Sequence, residues 1–160
     1  EQILKSNKIS KINFLKFIFH TNGPNEFSNI GIDLLPHGIS ILIKALGFGE
    51  ITNLELDISK FFVKYKFLYR DALIEFEFMQ GTSIEKKMII QLNDKKFTRI
   101  QSGTGNSYEV SFVDEGGENV KNIKDPFPVY LDLFFNGFRQ HKDDLFNFYL
   151  MCEILKGKQC

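Results

Sequence analysis

A chain of 160 residues with an apolar fraction of 43% and a charged fraction of 25% has the composition of a globular protein, long enough to bury most of its unfolded surface around one core. No run approaches the ~20 apolar residues of a membrane-spanning helix. Twenty basic residues against twenty acidic ones give a formal net charge of zero, which argues against nucleic acid and anionic lipid surfaces as partners.

Residues 1–160 are read as a single domain, and its elements follow in chain order. Ile12, Phe14, Leu15, Phe17, Ile18 and Phe19 make a nearly continuous apolar run that fits a strand buried on both faces and a short helix equally well. Asn22, Gly23, Pro24 and Asn25 form one turn cluster and Pro36, His37 and Gly38 another, with irregular chain or a poor edge strand between them. From Ile39 a period of two takes over. Ile39, Ile41, Ile43 and Ala45 share one face; Leu54, Leu56 and Ile58 alternate with Glu55 and Asp57; Phe61, Val63, Tyr65, Phe67 and Tyr69 alternate with a face carrying Lys64, Lys66 and Arg70; Ile74, Phe76 and Phe78 alternate with Glu75 and Glu77. Charge faces water and rings face a common core, as an antiparallel sheet with one solvated face requires. The Lys64, Lys66 row suits cross-strand pairing with Glu75 and Glu77, worth at most about 1 kcal/mol a pair.

Met88, Ile90 and Leu92 continue the pattern, Asn93 to Lys96 suit a hairpin turn, and Phe97–Gln101 and Tyr108, Val110 and Phe112 read as further strands. Asp125 as N-cap and Pro126 in the first turn then open a helix whose stripe is Phe127, Tyr130, Leu131, Phe134 and Phe138. The run Leu145–Leu155 fits either period; its aromatic content and the turn-like Lys156, Gly157, Lys158 favour a closing strand. Eighteen Phe and five Tyr without a Trp leave open a ring-rich core or a ring-lined cavity, since each buried ring removes roughly 150 to 250 Å² from water.

Chemistry-bearing motifs are sparse. His20, His37 and His141 lie in no zinc-ligand spacing, so neither a metal nor a cofactor is expected. No Ser sits in a nucleophile elbow, Cys152 and Cys160 have no Cys-x-x-Cys spacing, and the adjacent Asp143 and Asp144 diverge on either a strand or a helix. The loop holding Gly103 and Gly105 is followed by a strand-like run, not the helix a phosphate-cradling loop needs. The chain starts at Glu1 and shows no basic, apolar leader, which fits a processed form, exported or anchored, as well as a trimmed one.

A strand preceded by Gly38, a series of hairpins, the Asp125, Pro126, Phe127, Pro128 helix start and a last strand after Asp143 and Asp144 together resemble the lipoprotein-carrier-like half-barrel proteins of the bacterial envelope. The resemblance implies an extracytoplasmic or periplasmic location and a concave apolar sheet face holding a lipid or acyl chain. The expected fold is thus α+β, a strongly twisted antiparallel half-barrel of seven or eight strands with an aromatic helix on its apolar face. The expected function is non-enzymatic: binding of an apolar or amphiphilic ligand between sheet and helix, lined by Tyr65, Phe67, Phe76, Phe78, Phe112, Tyr130 and Phe134. If the helix fills the concavity, the same residues are plain core. The rival expectation is a structural or interaction domain with a protein partner, through homo-oligomerisation or docking at a strand edge.

Overall fold

The N-terminal apolar run forms β1 (Phe14–Thr21), and it is a strand because it occupies the middle of a sheet, where both faces are covered or crowded. The computed structural model describes residues 3, 9–23, 27–103, 109–117, 119–123 and 142–156. After β1 come α1 (Phe27–Leu46), β2 (Ile51–Ser59), β3 (Phe62–Tyr69), β4 (Ala72–Gln80), β5 (Lys87–Leu92), β6 (Lys95–Ser102), β7 (Glu109–Val113), β8 (Asn119–Ile123) and α2 (Lys142–Lys156). The eight strands lie in the order β2-β3-β4-β1-β5-β6-β7-β8.

The α+β class is as expected, but three features differ from the sequence reading. The sheet is mixed rather than purely antiparallel: β1 runs parallel to β4, with Phe17 opposite Phe76, and antiparallel to β5, with Phe17 opposite Ile90. It is open, ending at β2 and β8. The aromatic helix expected from Asp125 to Phe138 lies outside the described residues.

The second difference is α1, where a turn cluster and a strand were expected. Its buried residues Ile30, Leu34, Leu35, Ile39, Leu42 and Ile43 recur at three-, four- and five-residue spacing on one face. Two glycines and Pro36 together cost about 5 kcal/mol relative to alanine in a helix interior. Burying six large aliphatic side chains contributes about 1.5 to 3 kcal/mol each, so tertiary packing overrides local propensity. The glycines have a packing reason. Gly31 and Gly38 are seven residues apart on the same face, and a Cβ on each would lie 2.7 Å from Tyr65 Oη and 3.0 Å from Phe76 Cε2. The helix backbone therefore sits directly on the rings of β3 and β4. At its C-terminus Gly47, at φ 73°, donates its N–H to the Ile43 carbonyl at 2.8 Å. Arg70 Nη1 donates to the Leu46 carbonyl at 2.6 Å and Tyr69 Oη to the Gly47 carbonyl at 2.8 Å, satisfying carbonyls that a helix end leaves free.

The third difference is the closing run, which is helix α2, not a strand. Leu150 and Ile154, four residues apart, are buried where α2 packs beside α1.

The alternation read in β3 and β4 holds. Val63, Tyr65, Phe67 and Tyr69 on β3 and Ala72, Ile74, Phe76 and Phe78 on β4 point under α1, joined by Leu15 and Phe17 of β1. On the opposite face a row of alternating charge crosses three strands: Lys64 to Glu75 at 3.5 Å, Glu75 to Lys16 at 3.5 Å, Lys16 to Glu77 at 3.3 Å and Glu77 to His20 at 3.2 Å. Asn93 in the β5–β6 turn takes φ 56°, which Asn tolerates better than most residues. Its Oδ1 accepts the N–H groups of Asn13 and Phe14 at 2.9 and 3.2 Å, and its Nδ2 donates to the Lys11 carbonyl at 2.8 Å. That one side chain fixes where β1 begins.

Candidate functional site

The helix that covers half the sheet also turns a polar stripe to solvent. Asp33, Pro36, His37, Ser40 and Lys44 are all exposed. Asp33, His37, Ser40 and Lys44 follow one another at four-, three- and four-residue spacing, which stacks them along one side of α1. The buried side of the same helix is pinned by Gly31 over Tyr65 and Gly38 over Phe76. The stripe is thus carried on a backbone with little freedom to roll. The His37 ring meets Phe19, near the end of β1, edge to face at 5.3 Å between centroids and 83° between planes. An imidazole held by a ring on one side and open to solvent on another can accept and donate protons to a bound molecule. Asp33 stands one turn earlier on the same side of the helix.

The other histidine described, His20, lies on the opposite face of the sheet within the Lys16, Glu75, Glu77 charge row. Among the described residues no three of His, Cys, Asp and Glu converge on a common point that would hold a metal.

The ring residues expected to line a ligand cavity are placed otherwise. Tyr65, Phe67, Phe76 and Phe78 are at most 1% exposed and pack on one another: Phe67 and Phe76 lie 5.4 Å apart, Phe76 and Phe78 5.9 Å, and Tyr65 and Phe78 6.0 Å. Phe112 is also buried, on β7. Tyr130 and Phe134 lie outside the described residues. The hollows described lie away from these rings: one of about 460 Å³ at the start of β1 by Lys11, Leu46 and Arg70, one of about 220 Å³ by Lys95, Phe97 and Asp114, and one of about 170 Å³ by Ile41, Lys44 and Ile90. Burial pushes the Tyr65 hydroxyl up to about 12, and that hydroxyl has no hydrogen-bond partner among the described residues. Burial also raises Tyr69, opposed by a backbone hydrogen bond and by Arg70.

Sequence reading passed over Asp33 and His37 because Pro36, His37 and Gly38 read as a turn. The signal was present: Asp33, His37, Ser40 and Lys44 at helical spacing interleave with Ile30, Leu34, Leu35, Ile39 and Leu42.

No protein-family model and no curated protein matches the chain. Solved structures do share its fold. A 3-ketoreductase from Actinomadura kijaniata, in complex with TDP-benzene and NADP, superposes with a TM-score of 0.62 at 12% identity over 98% of this chain and 57% of its own. A UDP-N-acetylglucosamine 3-dehydrogenase from Acidithiobacillus ferrooxidans gives 0.61 at 13% over 97% and 55%, and a dehydrogenase from Clostridium difficile 0.56 at 16% over 98% and 58%. The chain therefore has a fold found in oxidoreductases, and it spans little more than half the length of each of these proteins.

That fold corrects the resemblance to lipoprotein-carrier half-barrels. It also corrects the expectations drawn from that resemblance and from the ring count: a non-enzymatic domain, a cell-envelope lipid-binding role and an apolar or amphiphilic small-molecule partner. The rings are covered by α1, a helix the sequence reading did not expect, whose glycines lie close upon them.

Proposed function

We propose that this chain supplies the substrate-holding part of an oxidoreductase that interconverts a hydroxyl and a carbonyl on a sugar or sugar-nucleotide substrate, with His37 as the proton acceptor and donor. The observation that carries this reading is the exposed Asp33 and His37, one turn apart on a helix anchored by its opposite face, within a fold also found in a UDP-N-acetylglucosamine 3-dehydrogenase and a 3-ketoreductase. Oxidation of an alcohol releases a hydride from carbon and a proton from oxygen. A neutral imidazole takes that proton as the carbonyl forms, and the imidazolium returns it in the reverse direction. Phe19 limits the rotation of the ring.

The described residues do not fit a dinucleotide. Its pyrophosphate calls for a strand, a Gly-rich turn and a helix N-terminus in succession; β1 is followed by α1, but Gly23 is the one glycine between them, and β6, which ends at Ser102, is followed by strand β7 among the described elements. The hydride would pass to the nicotinamide of a dinucleotide such as the NADP bound by the similar 3-ketoreductase, and the described residues contribute the proton transfer alone.

The test is a titration of the ¹⁵N-histidine-labelled chain with UDP-N-acetylglucosamine, TDP-glucose and glucose, followed by NMR. The ring signals of His37 should move with saturable dependence while those of His20, on the other face, stay put. His37→Asn and Asp33→Asn should weaken binding without lowering thermal stability. A His37 signal indifferent to all three compounds would refute the reading.

A further inference from the structure

At about 460 Å³ the hollow between the start of β1 and the end of α1 has the volume of a small-molecule site, and neither Asp33 nor His37 lines it. Its walls are fixed. Asn93 ties one of them down by donating to the Lys11 carbonyl and accepting from the amides of Asn13 and Phe14. Tyr69 and Arg70 tie the other to α1 through the Gly47 and Leu46 carbonyls, at 2.8 and 2.6 Å. Arg70 stands at φ 54°, where glycine or asparagine is sterically favoured, and Gly49 leaves it room, since a Cβ there would lie 2.7 Å from Arg70 Cγ. The backbone thus accepts strain to hold a guanidinium at this point. One N–H of Arg70 meets the Leu46 carbonyl, which also sets a positive charge against the negative end of the helix. Neither Arg70 nor Lys11 belongs to an ion pair among the described residues, although both line the hollow.

We infer that this hollow is a second binding site, one for the phosphate group of a small hydroxylated phosphate ester. Arg70 presents a planar fork of donors that matches two phosphate oxygens, and Lys11 supplies a second positive charge. Ser10 and Asn13, in the same lining, add neutral donors. Asp71 is the acceptor of the set, which calls for a hydroxyl near the phosphate rather than a bare anion. Because Asn93 and the end of α1 hold both walls in place, little ordering opposes binding. His37 lies nine residues before Leu46, roughly 14 Å along the helix axis, so the site stands independently of the reading of His37.

The test is a titration of the full chain with inorganic phosphate, followed by amide NMR and thermal melting. The amides of Ser10 to Asn13 and of Arg70 to Ala72 should shift saturably and the melting temperature should rise, while the ring signals of His37 stay put. Lys11→Met should weaken phosphate about five- to twenty-fold, the span of one charge-assisted hydrogen bond, with the melting temperature of the free protein unchanged. Lys60→Met, in the turn at the opposite end of β3, should leave the affinity as it is. Glucose 6-phosphate should bind more tightly than phosphate, and Asp71→Asn should remove that advantage. Absence of a saturable shift at millimolar phosphate, an equal response to acetate, or equal losses in Lys11→Met and Lys60→Met would overturn the inference, and none of these results touches the His37 reading.

Discussion

Replacing Tyr65 by Phe is expected to make this protein more stable, although it removes only an oxygen from the core. Tyr65 is wholly buried, its hydroxyl has no hydrogen-bond partner among the described residues, and a Cβ at Gly31 would lie 2.7 Å from it. A buried hydroxyl without a partner costs about 1 to 3 kcal/mol. The void left by its removal costs much less, about 0.3 kcal/mol for roughly 10 Å³. The net gain of about 1 to 2 kcal/mol corresponds to a rise of roughly 2 to 8 °C in melting temperature for a protein of this size. Differential scanning calorimetry and urea denaturation, with an unchanged m-value, measure it. A pH series adds an independent check. Because burial pushes the Tyr65 pKa up to about 12 from the usual 10, the folded state keeps its proton where the unfolded state has lost it. The stability tied to that proton is present below pH 10 and is lost as the pH rises through 12, about 2 to 3 kcal/mol in all. The Phe variant should lack this alkaline loss. A destabilised Phe variant would mean that the hydroxyl has a buried partner such as a water molecule, and the reasoning would fail.

Gly31→Ala should destabilise the wild type, because its Cβ would come within 2.7 Å of Tyr65 Oη, yet it should be tolerated in the Tyr65→Phe background. A double-mutant cycle should return a coupling of about 1 kcal/mol or more, and simple additivity would contradict the packing described. Gly38→Ala has no such rescue: overpacking against Phe76 costs about 1 to 3 kcal/mol, against about 1 kcal/mol regained from helix propensity, so its urea midpoint should fall or at best stay level. Asn93→Ala should cost about 2 kcal/mol in urea unfolding by losing three side-chain bonds and the tolerance of a positive φ, while Asn93→Gly, which keeps the latter, should cost less.

The strands were legible where one face is buried and the other solvated, because alternation is then imposed at every second residue; Lys64 to Tyr69 and Ile74 to Phe78 are the clear cases. The Asn93 turn was legible for the same local reason. Helix α1 was not, since Pro36 and two glycines obscure its propensity and their justification lies in Tyr65 and Phe76, distant in sequence. The run now seen as α2 satisfied both periods, and only its packing beside α1 decides between them. Neither the parallel pairing of β1 with β4 nor the seat of α1 on the rings can be read from any local window. The polar stripe with Asp33 and His37 was hidden with the helix that carries it.

The place of β1 has a consequence for how the molecule assembles. The two hairpin series, β2-β3-β4 and β5-β6-β7-β8, are each contiguous in sequence, yet the strand that joins them is made earlier and pairs with partners some 59 and 77 residues away, as in Phe17 with Phe76 and Leu15 with Leu92. Each series can fold from local contacts, but the join must await two distant encounters, which are slow to form because long loops have to close first. Until then β4 and β5 present raw edges, the exposed backbone through which partly folded chains aggregate. Strand β1 is therefore the keystone of the sheet: a chain that lost it would keep most of its core side chains and still fall into two sheets with unprotected edges.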